Sequence, residues 1–138
     1  MAVGVAKPKD FAECNTFVHF WLMLDSQKNY GKYLRNSLDA GLPVLIYNGM
    51  DDFLCNWKGA EVWTNSLVWR NQNSFKGQFY RKWKGHDGQE AGEFKTEQNF
   101  TFLKVYNAGH MVPTDQPHNA LLMLQQWIET GTVQESQG

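Results

Sequence analysis

Two stretches of this chain share one local pattern, and that pattern restricts the fold more than any other feature. Residues 42 to 56 read Leu-Pro-Val-Leu-Ile-Tyr-Asn-Gly-Met-Asp-Asp-Phe-Leu-Cys-Asn, and residues 105 to 117 read Val-Tyr-Asn-Ala-Gly-His-Met-Val-Pro-Thr-Asp-Gln-Pro. In each, an apolar strand runs into a glycine, and an ionisable side chain follows at once or within three positions. Gly109 is expected to allow a sharp change of direction, which puts His110 at the bend. Histidine is the side chain whose unperturbed pKa lies near neutrality, and the carboxyl ends of strands in an α/β sheet are where acid-base residues gather. If both strands run parallel in one sheet, Asp52 and His110 emerge at the same edge, and the carboxylate can hold the imidazole in one tautomer. Two members of a nucleophile-base-acid triad are then present. The third is not, because none of the five serines (Ser26, Ser37, Ser66, Ser74, Ser136) lies in a Gly-x-Ser-x-Gly elbow after a strand.

The remaining elements fit an α/β chain. Residues 1 to 15 have no periodicity and read as an arm, 16 to 131 as the core, and 132 to 138 as a disordered tail. Phe17, Phe20, Trp21, Leu22, Met23 and Leu24 form a dense apolar cluster of unclear period. Tyr30, Tyr33, Leu34 and Leu38 fall at helical spacing, and Gly41 with Pro43 stops a helix over 29 to 40 that feeds a strand over 43 to 48. Asn56 can cap a second helix with Trp57, Ala60, Thr64 and Leu67 on one face. Strand, helix and strand together predict a parallel crossover. The excursion from residue 69 to 98 contains the alternating run 79 to 84, which predicts an antiparallel hairpin turning at 85 to 88. A strand over 100 to 106 follows. A last helix begins near Asp115, whose side chain is placed to accept from the His118 amide, with Pro117 in the first turn. Ala120, Leu121, Leu124, Trp127 and Ile128 are assigned to its buried face, and Gly131 ends it.

Composition bears on partners. With 138 residues the chain is long enough for one sizeable core, and a net charge of −1 with both signs interspersed gives no electrostatic reason to expect a nucleic acid or membrane partner. The spacing of His110 and His118 places them on no common helix, so no metal site is expected. His86 reads as a solvated turn residue. Cys14 and Cys55 could bridge each other, stay reduced, or pair elsewhere, and spacing does not choose. Asn99-Phe100-Thr101 is a glycosylation sequon, with Asn99 directly before a predicted strand. The N-terminus has neither the apolar run nor the flank of a secretory signal.

Residues 46 to 57, Ile-Tyr-Asn-Gly-Met-Asp-Asp-Phe-Leu-Cys-Asn-Trp, and 107 to 117, Asn-Ala-Gly-His-Met-Val-Pro-Thr-Asp-Gln-Pro, resemble the Asp and His motifs of the serine carboxypeptidases. The likeness runs from about residue 14 to 128 and is nearest to the carboxypeptidase Y and lysosomal cathepsin A branch. It implies the C-terminal part of an α/β-hydrolase fold, with parallel strands, crossover helices and an inserted antiparallel hairpin. Aligning on Phe53-Leu54-Cys55-Asn56 assigns the catalytic carboxylate to Asp52 rather than Asp51, and the catalytic base to His110. One departure stands out, since the family usually has Gly-Asp-x-Asp and Met50 occupies the first acidic position.

The resemblance also implies that the family's serine, oxyanion hole and carboxylate-binding groups precede Met1. The substrates would be peptides or proteins with a free C-terminus, no cofactor would be used, and this chain alone would be inactive. Cys14 would be bridged to the upstream portion, Cys55 would stay a thiol beside the active site, and Cys55 and Met111 would wall the substrate pocket. The compartment would be lysosomal, vacuolar or extracellular, in keeping with a glycan on Asn99. Acyltransferases and hydroxynitrile lyases share the fold and the triad, and a catalytically silent binding module is a further alternative.

Overall fold

A computed structural model describes residues 15 to 25 and 28 to 135. The described residues up to Tyr30 form a unit of their own. Its helix α1, Thr16–Leu22, is capped by Asn15, whose Oδ1 accepts from the amides of Phe17 and Val18 at 3.0 and 3.1 Å. The apolar cluster anticipated there is helical, and Phe17, Phe20, Trp21 and Leu22 are all exposed.

The second unit begins at Gly31 and contains α2 (Gly31–Asp39), β1 (Val44–Gly49), α3 (Trp57–Ser66), α4 (Gln72–Gly77), β2 (Arg81–Lys84), β3 (Glu90–Glu97), β4 (Phe100–Val105), α5 (Val112–Asp115) and α6 (Pro117–Thr130). Its four strands form one sheet in the order β1-β4-β3-β2. β1 and β4 are parallel, in register from Val44 opposite Phe100 to Gly49 opposite Val105, so both strands end at the same edge. The hairpin β2-β3 is as anticipated, and it extends this sheet, with β3 antiparallel to β4.

β4 is the strand on which the sheet is built. All six of its residues are buried, which is why its sequence is a nearly continuous apolar run rather than an alternating one. The pleat divides them. Phe100 and Phe102 face Leu38, Ala60, Leu67, Trp69 and Phe75, a cluster drawn from α2, α3 and the segment leading through α4. Leu103 and Val105 face Trp83, Phe94, Val112, Met123 and Val133 on the side of α5 and α6. Each such side chain contributes about 1.5–3 kcal/mol by leaving water. Rings add shape to the first cluster, where Phe75 stacks on Phe100 at 4.5 Å between centroids and Trp69 meets Phe100 edge-on at 5.9 Å.

Two buried lysines interrupt this apolar sheet. Lys104 pairs with Glu93 on the neighbouring strand, and its Nζ lies 3.5 Å from the centroid of the Tyr80 ring and 4.5 Å from that of Trp57. Lys95 donates to Asn65 Oδ1 at 2.6 Å and lies over the Phe75 ring. Burial pushes the Lys95 ammonium below its usual range. Burial also raises the Tyr80 hydroxyl, which donates to Glu61 Oε1 at 2.6 Å.

Four local readings are corrected by the structure. The bend after β4 is made by Asn107 in the left-handed region (φ 51°), a conformation that asparagine tolerates, and not by Gly109. The last helical segment is broken into α5 and α6. Asp115 Oδ2 takes the Gly109 amide at 2.7 Å instead of capping at His118, so it ties the His110 loop shut. On α6 the buried residues are Ala120 and Met123, whereas Leu121, Leu124 and Ile128 are exposed, because no described element covers that face. Gly131 does end α6, at φ 75°. Val133, in the stretch anticipated as a tail, is buried in the core.

Candidate active site

The site forms where β1 and β4 end side by side. Met50 N donates to Val105 O at 2.9 Å and Asp51 N to Ala108 O at 3.0 Å, so the two loops are joined backbone to backbone. Only a glycine fits at this junction, since a Cβ on Gly49 would overlap the carbonyl oxygens of Ala108 and Gly109. The Met50 main chain makes its contact whatever side chain it carries, and the loop closes with a methionine in that position.

Beyond the junction the chain turns so that Asp52 points inward. Its side chain is 5% exposed, and Oδ1 accepts from the amides of Leu54 at 2.9 Å and Cys55 at 3.0 Å. Oδ2 lies 2.9 Å from His110 Nδ1. The Cys55 amide first, and then the imidazole, hold the Asp52 carboxyl below its usual range against the opposing effect of desolvation. Asp52 is therefore ionised at mildly acidic pH. An ionised Oδ2 makes Nδ1 the protonated nitrogen and leaves Nε2 as the basic one. Nε2 has no partner among the described residues, and the His110 side chain is 56% exposed. Asp51 is exposed and makes no side-chain bond to the imidazole.

On the far side of His110, Gln116 Nε2 donates to Asn107 O at 3.0 Å and Asp115 holds the Gly109 amide, so the residues just before the histidine are pinned from α5 and its flank. Asn56, as anticipated, caps α3 by accepting from the Gly59 amide at 2.8 Å. Asn48 Nδ2 donates to Cys55 O at 2.8 Å. Sequence reasoning assigned no role to Asn48 or to Asp115's grip on Gly109. The available signal for Asn48 was a polar residue one position before the end of an otherwise apolar strand.

Cys55 is a free, exposed thiol, and Cys14 lies outside the described residues. Met111 is 60% exposed beside the histidine, and Phe53 and Leu54 are more exposed still. Ligand atoms of Asp52, Cys55 and His110 lie within 4.8 Å of one another, a separation that would admit a metal ion. Both Asp52 oxygens and His110 Nδ1 are already committed to hydrogen bonds, so a cation would have to displace them. Asn99, the sequon residue, donates through Nδ2 to the carbonyls of Leu38 at 3.0 Å and Leu42 at 2.7 Å. Its amide group is occupied in fastening α2 to the start of β4.

Asp52 and His110 thus form a carboxylate-imidazole pair at the ends of adjacent parallel strands. The serine carboxypeptidase family model matches residues 1–130. The chain belongs to the serine carboxypeptidase family. It is 42% identical over 125 residues to carboxypeptidase Y of Komagataella phaffii, a match covering 89% of this chain and 24% of that protein. It is 40% identical over 115 residues to a vacuolar serine-type carboxypeptidase of Saccharomyces cerevisiae, covering 83% of this chain and 23% of the relative. The crystal structure of Kex1(delta)p, a prohormone-processing carboxypeptidase from Saccharomyces cerevisiae, superposes with a TM-score of 0.67 at 30% identity, covering 85% of this chain and 25% of that one. The fold is accordingly that of a serine carboxypeptidase, the α/β-hydrolase fold, and the chain spans about a quarter of the length of the relatives it matches. No helix among the described residues is long and apolar enough to cross a membrane.

Proposed function

We propose that this chain is the portion of a serine carboxypeptidase that supplies the general base, His110, and the carboxylate that orients it, Asp52. The nucleophilic serine would come from a portion N-terminal to it in the whole protein, and the chain alone would be inactive. The observation that carries this reading is the 2.9 Å contact from Asp52 Oδ2 to His110 Nδ1, with Nε2 left over on an exposed ring.

Each step of peptide-bond hydrolysis then follows. The serine Oγ attacks the scissile carbonyl of a peptide or protein with a free C-terminus, and its proton passes to His110 Nε2. The buried Asp52 carboxylate stabilises the imidazolium without taking the proton. His110 returns that proton to the departing amine, and the same sequence with water releases the acyl group. No cofactor enters these steps. Cys55 and Met111 would wall the bound residue, a reading supported by the Cys55 thiol lying within 4.8 Å of the ligand atoms of Asp52 and His110 and by the exposure of Met111, and apolar walls favour apolar substrate side chains.

Three further assignments belong to this reading. Cys14 would be bridged to the serine-bearing portion. The compartment would be lysosomal, vacuolar or extracellular, as one relative is named for the vacuole. The uncovered strand β1, with the apolar cavity of about 430 Å³ between it and α6, would be covered by the upstream portion. The test is the complete protein treated with a serine-directed fluorophosphonate and assayed on peptides, acyl esters and cyanohydrins. Stoichiometric labelling with release of C-terminal residues is expected. Labelling with turnover only of esters or cyanohydrins would assign the chain to a different chemistry on the same fold, and no labelling would make it a silent module.

A further inference from the structure

We propose that Asn48 is a positioning residue, whose side-chain amide clamps the Cys55 carbonyl and so keeps the Asp52 carboxylate and the Cys55 thiol in register with His110. The inference rests on the carboxypeptidase reading for its consequence in turnover, and on geometry alone for its consequence at the thiol.

Asn48 sits one residue before the end of β1, opposite Lys104 in the parallel register with β4, so its backbone is fixed by the sheet. From there Nδ2 reaches across the seven-residue turn to Cys55 O at 2.8 Å. The Cys55 amide, at the other end of the same residue, donates to Asp52 Oδ1 at 3.0 Å. Cys55 is thus gripped at its carbonyl by the strand and at its amide by the carboxylate that faces the histidine. Its Sγ lies within 4.8 Å of the ligand atoms of Asp52 and His110, so a shift of this residue is felt directly at the pair.

The other half of the Asn48 amide indicates which of its functions is in use. Oδ1 is buried without a hydrogen-bond partner, an arrangement that destabilises a fold. Rotating the amide would place Oδ1 against the Cys55 carbonyl, oxygen to oxygen, so the observed orientation is the one chemistry permits. An apolar residue would continue the run 44 to 47 without stranding an acceptor. What the amide adds, and an apolar side chain would lack, is the donor to Cys55. Without it Cys55 keeps, among the described residues, one hydrogen bond, from its amide to Asp52 Oδ1, and that amide is the leading cause of the carboxyl's lowered pKa.

The experiment compares the complete protein with its Asn48→Ala and Asn48→Asp variants. Turnover per fluorophosphonate-titrated site is measured against pH, and the rate of Cys55 alkylation by iodoacetamide is measured in parallel. For Asn48→Ala, kcat per titrated site should fall roughly tenfold or more at every pH with KM little changed, as expected for a misplaced catalytic pair. Its thiol should alkylate at a rate that differs at least about threefold from that of the unaltered protein. For Asn48→Asp, a protonated carboxyl can donate to Cys55 O and an ionised one cannot. Its kcat relative to the unaltered protein should therefore be near one at low pH and drop roughly tenfold as that carboxyl ionises. A residue that mattered only for folding would lower the titrated fraction and leave kcat per site, its pH dependence and the alkylation rate unchanged, and that result would overturn the proposal. If Asn48→Ala does not fold, the pH dependence of Asn48→Asp decides by itself. If the unaltered protein neither labels nor cleaves peptides, the carboxypeptidase reading has failed, and the alkylation rates alone uphold or reject the clamp.

Discussion

Gly49→Ala perturbs the junction on which the whole site depends, and the structure sets the size of the effect. The added Cβ would fall on the carbonyl oxygens of Ala108 and Gly109, closer than the 3.0 Å below which real Cβ contacts are essentially never found. Both obstacles are backbone, held by the Asp51–Ala108 bond on one side and by Asp115 on the other, so neither can swing away as a side-chain tip would. The loops must part by on the order of 1 Å, a displacement that in a catalytic constellation costs about a hundredfold in rate. The same movement takes the 2.9 Å Asp52–His110 contact beyond hydrogen-bonding range and loosens the bonds from Met50 and Asp51. Two such backbone bonds contribute about 1–3 kcal/mol together. In the complete protein, Gly49→Ala should therefore lower kcat/KM about a hundredfold and reduce unfolding free energy by about 1–3 kcal/mol in a urea titration. Activity within a factor of three and an unshifted urea midpoint would show that the two loops are not locked together as described.

The two buried lysines should respond in opposite ways to methionine, as read by urea unfolding of the complete protein. Lys104→Met strands Glu93 and should cost roughly 2–3 kcal/mol, less than the ~3–5 kcal/mol of a fully buried pair because Glu93 is partly exposed. Lys95→Met removes a desolvated ammonium that has an amide but, among the described residues, no carboxylate within ion-pair distance, and should be neutral or stabilising. Equal losses at both positions would refute this account of the sheet's charges. Asn99 should carry no glycan, since its amide nitrogen is bound to two carbonyls, and mass spectrometry of the complete protein expressed through a secretory route would show an unmodified Asn99 peptide. Full occupancy of that sequon would contradict the geometry. The isolated 138-residue chain, with β1 uncovered and Leu121, Leu124 and Ile128 exposed, should aggregate, and a cooperative monomeric melt with clear light scattering would refute the need for a covering portion.

The parts of the fold legible in the sequence were those whose signals are local. Apolar runs ending in glycine marked β1 and β4, Asn56 marked the start of α3, and the turn residues around Gly88 marked the β2-β3 hairpin. Whatever depended on a distant partner was read less well. Leu121, Leu124 and Ile128 have the spacing of a buried face, yet burial needs a second surface that the described residues do not provide. Asp115 looked like a cap because caps are local, whereas its actual partner, the Gly109 amide, is set by how the loop folds back. The contact between the two stretches was legible from their shared pattern once a parallel pairing was assumed. The choice of Asp52 over Asp51 was not, because both are carboxylates after the same glycine. It came from the family motif, and the structure agrees that Asp52 is the one at the imidazole.

The most direct test of the central claim compares Asp52→Asn with Asp51→Asn in the complete protein, by kcat/KM on a peptide with a free C-terminus. Asp52→Asn should lower turnover on the order of 10⁴-fold, because an amide facing Nδ1 neither fixes the tautomer nor stabilises the imidazolium. Asp51→Asn, whose side chain is exposed and makes no bond to the imidazole, should stay within about threefold of the unaltered enzyme, as surface substitutions generally do. Comparable losses at both positions, or a large loss only at Asp51, would contradict the assignment of Asp52 and His110 as the acid and base of the site.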